Sequence, residues 1–454
     1  MFRKLLVANR GEIALRIFRA CEELGIETVA LHSEADEDSL HVKFAQESVC
    51  IGPAPSSRSY LNISNILSAA EVTGADAIHP GYGFLAENAH FAEVCASHGL
   101  TFVGPAPEAI LRLGDKALAR ETMVAGGVPV VPGSDGVVSD DVLGLQIARE
   151  IGYPVIVKAS AGGGGKGMRV AWTEEEFRRS FDIAQGEAFS AFGNGDLYIE
   201  KFLVGPRHVE VQILADKFGK VLYMGERDCS VQRRHQKLIE ESPSPAVNDT
   251  LRQRLGETAV QAAKASNYYS AGTVEFLLTD NMDFYFMEMN TRIQVEHPVT
   301  EMVTGLDLIK EQIKIAAGEP ISFNQEDVKL TGHAIECRLN AEDPERDFMP
   351  VPGRIDSFHV PGGPGVRVDS HVYAGYDIPP YYDSMIAKLI CHGADRAEAL
   401  ARMRRALEET VIEGVPSTLP FHLAMMRHPR FIAGDVNTRF LDEEDWKNAD
   451  GKSA

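Results

Sequence analysis

Glu275 and Glu288 are the pair of residues in this chain best placed to do chemistry. They lie in GTVEFLL (272–278) and FYFMEMN (284–290), two short apolar and aromatic runs that read as β-strands. Between them is TDNMD, a turn-like stretch. A tight hairpin with Asn281-Met282 at its tip sets Glu275 opposite Glu288. Like charges opposite each other in a ladder are destabilising. A hard divalent cation relieves that repulsion, because Mg²⁺ takes one or two carboxylates together with phosphate oxygens. Two solvated acids on a sheet face are the alternative these two residues leave open. The residues that follow weigh against it. Glu288, Asn290, Arg292, Gln294 and Glu296 occupy alternate positions, so an extended chain projects all five to one side, while Ile293 and Val295 point away. A straight strand would separate Glu288 from Glu296 by roughly 26 Å, too far for one reaction centre. The pattern therefore predicts a bend after Asn290.

The elements that must position these residues are legible along 454 residues, enough for two or three domains. Residues 1–114 alternate strand and helix: KLLVAN, a helix from Glu12 to Leu24, TVALH, then ADAIHP and TFVGP. This rhythm predicts a parallel sheet with covering helices. The first turn, Ala-Asn-Arg-Gly-Glu, has one glycine where a dinucleotide fingerprint has three, so the shape is Rossmann-like without an NAD site. A second unit starts near Asp115-Lys116, with Pro129–Gly136 as a connector and strands at Tyr153–Lys158 and LYIEKFL (197–203). A third opens at GHAIECRLNAEDP (332–344), followed by a strand in DSMIAKLICHG and an amphipathic helix from Ala397 to Leu407.

Composition bounds the function. A hydrophobic content of 44% supports substantial cores. A net charge of −21 argues against general nucleic-acid binding. Six scattered cysteines form no C-x-x-C pair, which predicts reduced thiols in a cytoplasmic protein with neither zinc nor disulfides. The first strand begins almost at once, leaving no room for a signal peptide, and no apolar run has the length of a membrane span.

Three further motifs point to anions. KASAGGGGKGMR (158–169) offers backbone N–H groups and two lysines, Lys158 and Lys166, to a phosphate. It is not a Walker A loop, since glycine follows Lys166, and a plain surface hairpin is its alternative. ERDCSVQRRHQK (226–237) gathers Arg227, Arg233, Arg234, His235 and Lys237, which reads as an anion pocket. HPGYGFLAEN (79–88) is a glycine-punctuated loop following a strand of a parallel sheet, where ligands tend to bind; a structural turn is equally open.

Together with VANRGEIALRI (7–17), MEMNTRIQVEHPVTE (287–301), AIECRLNAEDP (334–344) and YYDSMIAKL (381–389), these motifs make the chain resemble biotin carboxylase, an ATP-grasp enzyme, over nearly its whole length. The resemblance implies an α/β and α+β multidomain fold: a Rossmann-like N-terminal domain (1–114), an ATP-grasp domain (115–330) with a mobile lid at about 131–203, and a C-terminal biotin carboxylase domain (331–447). It implies that ATP phosphorylates bicarbonate to carboxyphosphate and that the carboxyl group passes to N1′ of biotin on a carrier protein. ATP is then expected at Lys116, Lys158, Gly163, Gly164, Gly165, Met168, His208, Gln232 and His235, with Glu200, Lys201 and Leu203 at the adenine. Glu275, Glu288 and Asn290 are expected to hold two Mg²⁺ or Mn²⁺ ions. Arg292, Gln294, Val295 and Lys237 are expected at bicarbonate, with Glu296 as its base. Lys237 would also stabilise the phosphoryl group, Arg338 the biotin enolate, and Tyr82 would lie near biotin. No methionine is followed by lysine, as a biotin attachment segment requires, and the chain is too short for a carboxyltransferase domain. Biotin carboxyl carrier protein and carboxyltransferase subunits are therefore expected on separate chains, with this chain a homodimeric subunit of acetyl-CoA carboxylase in fatty acid synthesis. Alternatives are a subunit of another acyl-CoA or pyruvate carboxylase, a different ATP-grasp ligase, or a regulatory nucleotide-binding subunit.

Overall fold

The structure is a computed structural model that describes residues 1–138, 140–159, 168–192 and 195–448. Gly163, Gly164, Gly165 and Lys166 of the glycine-rich loop lie outside the described residues. The chain divides into a larger unit, Met1–Val128 with Arg207–Phe276 and Glu288–Ala454, and a smaller one, Pro129–Pro206 with Leu277–Met287.

In the larger unit, β1 (Lys4–Val7), β2 (Glu27–His32), β3 (Glu47–Cys50), β4 (Ala77–His79) and β5 (Thr101–Phe102) form a parallel sheet in the order β3-β2-β1-β4-β5. β1 is buried along its length, as a strand of a parallel sheet covered on both faces should be. Helix α1 (Gly11–Glu23) packs Ile13, Ile17, Ala20 and Cys21 inward. The loop after β4 is pinned to the end of β1: Asn9 Nδ2 donates to the carbonyls of Pro80 and Tyr82 at 2.6 and 2.7 Å. Gly81 makes that approach possible, because it is left-handed (φ 62°) and a Cβ there would sit 2.9 Å from Asn9 Nδ2. Helix α2 (Lys116–Ala125) starts at Asp115, whose carboxylate accepts from the N–H groups of Ala117 and Leu118. Lys116 is thereby set, exposed, in the first turn.

The smaller unit contains β6 (Val155–Ala159), β7 (Arg169–Ala171), helix α3 (Glu174–Phe192) and β8 (Leu197–Lys201), with sheet order β7-β6-β8. Val155, Val157, Leu197 and Ile199 pack against Phe177 and Phe181 of α3.

The second sheet carries Glu210, Lys237, Glu275, Glu288 and Arg338. Its strands are β9 (Arg207–Ala215), β10 (Val221–Arg233), β11 (Gln236–Ser242), β12 (Ser270–Leu278), β13 (Phe284–Asn290), β14 (His333–Asn340), β15 (Val366–Ser370) and β16 (Met385–Gly393), in the order β13-β12-β9-β10-β11-β14-β16-β15. From β9 to β15 the pairs are antiparallel. Helix α4 (His297–Thr304) follows β13, and helix α5 (Arg396–Glu409) follows β16.

One local reading of the sequence differs here, and one turn is unusual in composition. The β12–β13 turn does not have Asn281-Met282 as a two-residue tip. Thr279 N–H donates to Asp283 O, Met282 N–H donates to Thr279 O, and Met282 is left-handed. This three-residue turn absorbs one extra residue on the β13 side, so the tip alone does not set Glu275 opposite Glu288. The β10–β11 turn is tighter than its composition suggests: Arg233 pairs with Gln236, and both Arg234 and His235 are left-handed. A turn of this kind normally uses Asn-Gly, so Arg-His there stores strain on the order of 1–3 kcal/mol per residue.

The bend after Asn290 is present. β13 ends at Asn290, and Glu296 stands immediately before α4. Ile293 anchors the bend, fully buried with Leu214, Leu222 and Ala271. Truncating it leaves a cavity under the segment that presents Arg292, Gln294 and Glu296. Ile293→Ala is expected to lower unfolding free energy by about 2–5 kcal/mol and Ile293→Val by about 1 kcal/mol, read from urea midpoints.

Candidate active site

Lys237 is the centre of the site. Its ammonium lies 2.5 Å from Glu210, 3.0 Å from Glu275 and 2.6 Å from Glu296. β11 supplies the lysine, β9 and β12 supply Glu210 and Glu275, and the bend supplies Glu296. Burial alone would lower the lysine's pKa, but the three acids raise it well above its ordinary value. Burial alone would raise Glu275 and Glu296, yet both are held below the usual carboxylate range, Glu275 by Lys237 and His208, Glu296 by Lys237, Arg338 and Arg227. Glu275 and Glu296 are therefore ionised at neutral pH.

Glu275 is the most heavily engaged acid. Its Oε1 accepts from Lys237, Asn290 Nδ2 (2.9 Å) and Gln294 Nε2 (2.8 Å), and its Oε2 lies 2.9 Å from His208. Gln232 approaches the other ring nitrogen of His208 at 3.4 Å. Burial and then the Glu275 carboxylate push Glu288 up, with Lys116 acting in the opposite direction. Glu288 nevertheless reaches solvent. Asn290 Oδ1 accepts from Arg292 at 3.0 Å. These are hard oxygen donors with an excess of negative charge, a set that fits Mg²⁺ and equally Mn²⁺. Among the described residues, the groups whose ligand atoms already converge are His208–Glu210–Glu275 and Glu210–Cys229–Glu296; Glu288 belongs to neither.

Arg292 is oriented by Glu87 from the loop after β4: its Nε donates to Glu87 Oε2 at 3.0 Å, and Thr291 N–H donates to the other oxygen. Arg338, on β14, joins two acids, donating from Nε to Glu240 at 2.6 Å and from Nη2 to Glu296 at 2.9 Å. The Val295 carbonyl accepts from Lys388 at 2.8 Å. The Tyr82 hydroxyl is bonded to Glu12, and Arg338 is among the charges that act on it.

The expected residues of the smaller unit are placed separately. Lys158 bonds Glu200 at 2.5 Å. Lys201 turns its ammonium onto the carbonyls of Gly152 and Tyr153 at 3.0 and 2.9 Å. Leu203 is half-buried, Met168 is exposed, and in the larger unit His235 is exposed at the strained turn.

The basic run 226–237 is not one anion pocket. Arg227 is fully buried and its guanidinium is saturated by Glu210, Gln212, Thr273, Thr300 and Gln294 at 2.5–3.0 Å. Arg233 and Arg234 are both paired with Asp347. The split follows the partners and the backbone: β10 changes register between Asp228 and Gln232, so Arg227 meets Glu210 on β9 while Arg233 and Arg234, at the turn, meet Asp347. Glu87, Glu210 and Glu240 do not stand out in the sequence. A signal for Glu210 exists, since His208, Glu210 and Gln212 alternate with apolar residues in RHVEVQILA.

Removing the central cation tests this electrostatic balance. In the parent, Glu275 and Glu296 contribute stability that is complete above the ordinary glutamate value of 4.5 and is lost as pH falls through their lower folded values. In Lys237→Met the stranded acids shift above that value instead, so stability rises as pH falls through their raised values. The variant is expected to be less stable than the parent by about 3–5 kcal/mol at neutral pH. The gap should narrow towards pH 5, as read from urea unfolding at several pH values.

With this geometry in view, three families match the chain: "Biotin carboxylase, N-terminal domain" at residues 1–110, "Carbamoyl-phosphate synthase L chain, ATP binding domain" at 115–324, and "Biotin carboxylase C-terminal domain" at 336–443. The chain is similar to a biotin carboxylase of Nostoc, 61% identical over 97% of this chain and 99% of that one. It is 56% identical to a pyruvate carboxylase subunit of Methanothermobacter thermautotrophicus, over 98% of this chain and 90% of that one. Among solved structures it resembles the biotin carboxylase domain dimer of 2-oxoglutarate carboxylase from Hydrogenobacter thermophilus, in complex with MgADP, ADP and bicarbonate. That match has a TM-score of 0.90 and 51% identity, and covers all of both chains. Full-length matches of this kind, over the domains that carry Lys237, Glu275, Glu296 and Arg338, show that the chain belongs to the biotin carboxylase family.

Proposed function

We propose that this chain catalyses the ATP- and bicarbonate-dependent carboxylation of N1′ of biotin held on a separate carrier protein. The observation that carries the reading is Glu296, an ionised acid clasped between two cations, Lys237 and Arg338. A base must be ionised and within hydrogen-bond reach of the proton it takes. In the resting site both cations hold Glu296 too acidic to be a strong base. An anion that draws Lys237 and Arg338 onto itself raises Glu296 towards a useful value, so bicarbonate binding and activation of its base are one event. Arg292, with Gln294 and the backbone of Val295, is the reading's bicarbonate clamp, and Glu87 fixes the direction of the guanidinium.

Lys116, Lys158, His208, Gln232, His235, Met168 and the glycine-rich loop are assigned to the ATP phosphates, and Glu200, Lys201 and Leu203 to the adenine. Glu275, Glu288 and Asn290 would hold the divalent ions, which when bound neutralise charge on the transferring phosphoryl group. Lys237 would add its own positive charge to the same group. Arg338 stabilises the biotin enolate, with Tyr82 near the ring. Closure of a lid at about 131–203 would exclude water from carboxyphosphate.

The acceptor is assigned as acetyl-CoA, with this chain as the biotin carboxylase subunit in fatty acid synthesis. The Methanothermobacter relative favours pyruvate as a second reading. Carrier and carboxyltransferase on other chains, a homodimer like the Hydrogenobacter domain, and a cytoplasmic location complete the proposal. Among the described residues no helix is long and apolar enough to cross a membrane.

The test is transfer of label from bicarbonate to a biotinylated carrier domain in the presence of Mg-ATP. The parent is expected to transfer label, and Glu296→Gln to bind ATP normally while transfer falls by about 100-fold or more, the scale of a lost general base. No labelled carrier with the parent would overturn the reading, and unaltered transfer by Glu296→Gln would remove Glu296 as the base.

A further inference from the structure

Directly beneath Arg338 lie two acids that the reaction does not use. β11 and β14 pair antiparallel with Glu240 opposite Glu336, and β14 pairs with β16 so that Arg338 is opposite Lys388. Opposite and alternate residues of a ladder share a face, so Glu240, Glu336, Arg338 and Lys388 form one patch. Glu240, Glu336 and Lys388 are fully buried. Both carboxyl oxygens of Glu336, and Oε2 of Glu240, have no hydrogen-bond partner among the described residues.

The surrounding cations are already committed. Arg338 is shared by Glu240 Oε1 and Glu296. Lys388 donates to the Val295 carbonyl and lies 3.0 Å from Glu12. Lys237 serves Glu210, Glu275 and Glu296. His297 and His422, on helices packed against β14, are held neutral by burial. Lys388 and Arg338 act on Glu336 through space, but among the described residues none donates a hydrogen bond to it. Two bare carboxylates opposite each other in a dry interior are costly. Opposite side chains in a ladder start from Cβ atoms about 4.5–5.5 Å apart, within reach of two carboxyls sharing one proton.

We propose that Glu336 is a neutral carboxylic acid that donates its proton to Glu240 Oε2, and that this acid–carboxylate pair is the device that positions Arg338 against Glu296. Burial pushes both acids up, Glu336 well above the ordinary range and Glu240 to about 7 in spite of Arg338. With the proton in place, Glu240 keeps one negative charge to anchor the guanidinium, and its free oxygen is satisfied. Without a donor at position 336, Glu240 takes up a proton itself and releases Arg338. The inference rests on the role given to Arg338 above.

Two measurements test it on the full-length protein. Infrared difference spectra of the parent at neutral pH against Glu336→Gln should show a buried protonated carboxyl band that the variant lacks; no such band would overturn the assignment. Biotin carboxylation is then compared with bicarbonate-dependent ATP cleavage without biotin. Glu336→Leu, which has no donor, is expected to lower biotin carboxylation relative to ATP cleavage by about tenfold or more, the worth of one charge-assisted hydrogen bond. Glu336→Gln, which keeps a donor, is expected to restore that ratio to within about threefold. Equal ratios in both variants, or a Gln variant as impaired as the Leu variant, would overturn the pair. A parent unable to carboxylate biotin while the band is present would instead overturn the function assigned to the site.

Discussion

One ammonium group facing three carboxylates is the constraint on which the site depends. Lys237 holds Glu210, Glu275 and Glu296 within hydrogen-bond distance in a place nearly closed to water. An uncompensated charge there would cost several kcal/mol, so removing any member disturbs the rest. The network extends outward in alternating sign. Glu210 also binds the buried Arg227, Glu296 also binds Arg338, and Arg338 also binds Glu240. Charges satisfied mainly by one another are set to be redistributed by an incoming anion and its counter-ions.

The sheet makes that arrangement possible. Neighbouring strands β9, β10, β11 and β14 pair antiparallel, and alternation along β9 and β14 sends every second residue to the face that holds Lys237. β9 contributes His208 and Glu210 in this way, and β14 contributes Glu336 and Arg338. The bend after Asn290 then brings Gln294 and Glu296 back towards Glu275, with Ile293 buried as its anchor. The parallel sheet earlier in the chain supplies one loop, and Glu87 on that loop orients Arg292. Residues more than 200 positions apart therefore meet by topology.

Much of this is legible in the sequence. The alternation of Glu288, Asn290, Arg292, Gln294 and Glu296 requires a bend, and the bend is there. The βα rhythm of the first hundred or so residues implies the parallel sheet, and seven motifs in order imply the family. What is not legible depends on partners distant in sequence. The basic run 226–237 looks like one anion pocket because net charge is visible in a sequence and its neutralisation is not: Arg227 finds its acid on β9, and Arg233 and Arg234 find Asp347 more than a hundred residues on. The hairpin tip differs by one residue from the two-residue turn expected: such a tip needs its first central residue left-handed, and of Asn281 and Met282 only Met282 is. Glu240 and Glu336 are silent because a buried acid in a strand announces itself only when the opposite strand is known.

The most direct test of the account is ADP release from the purified protein with Mg-ATP, measured with and without bicarbonate and with and without free biotin. The account predicts ADP release that requires bicarbonate and rises with biotin, because Glu296 is freed as a base only when an anion engages Lys237 and Arg338. ADP release independent of bicarbonate, or bicarbonate-dependent release that biotin leaves unchanged even when presented on a carrier domain, would contradict it.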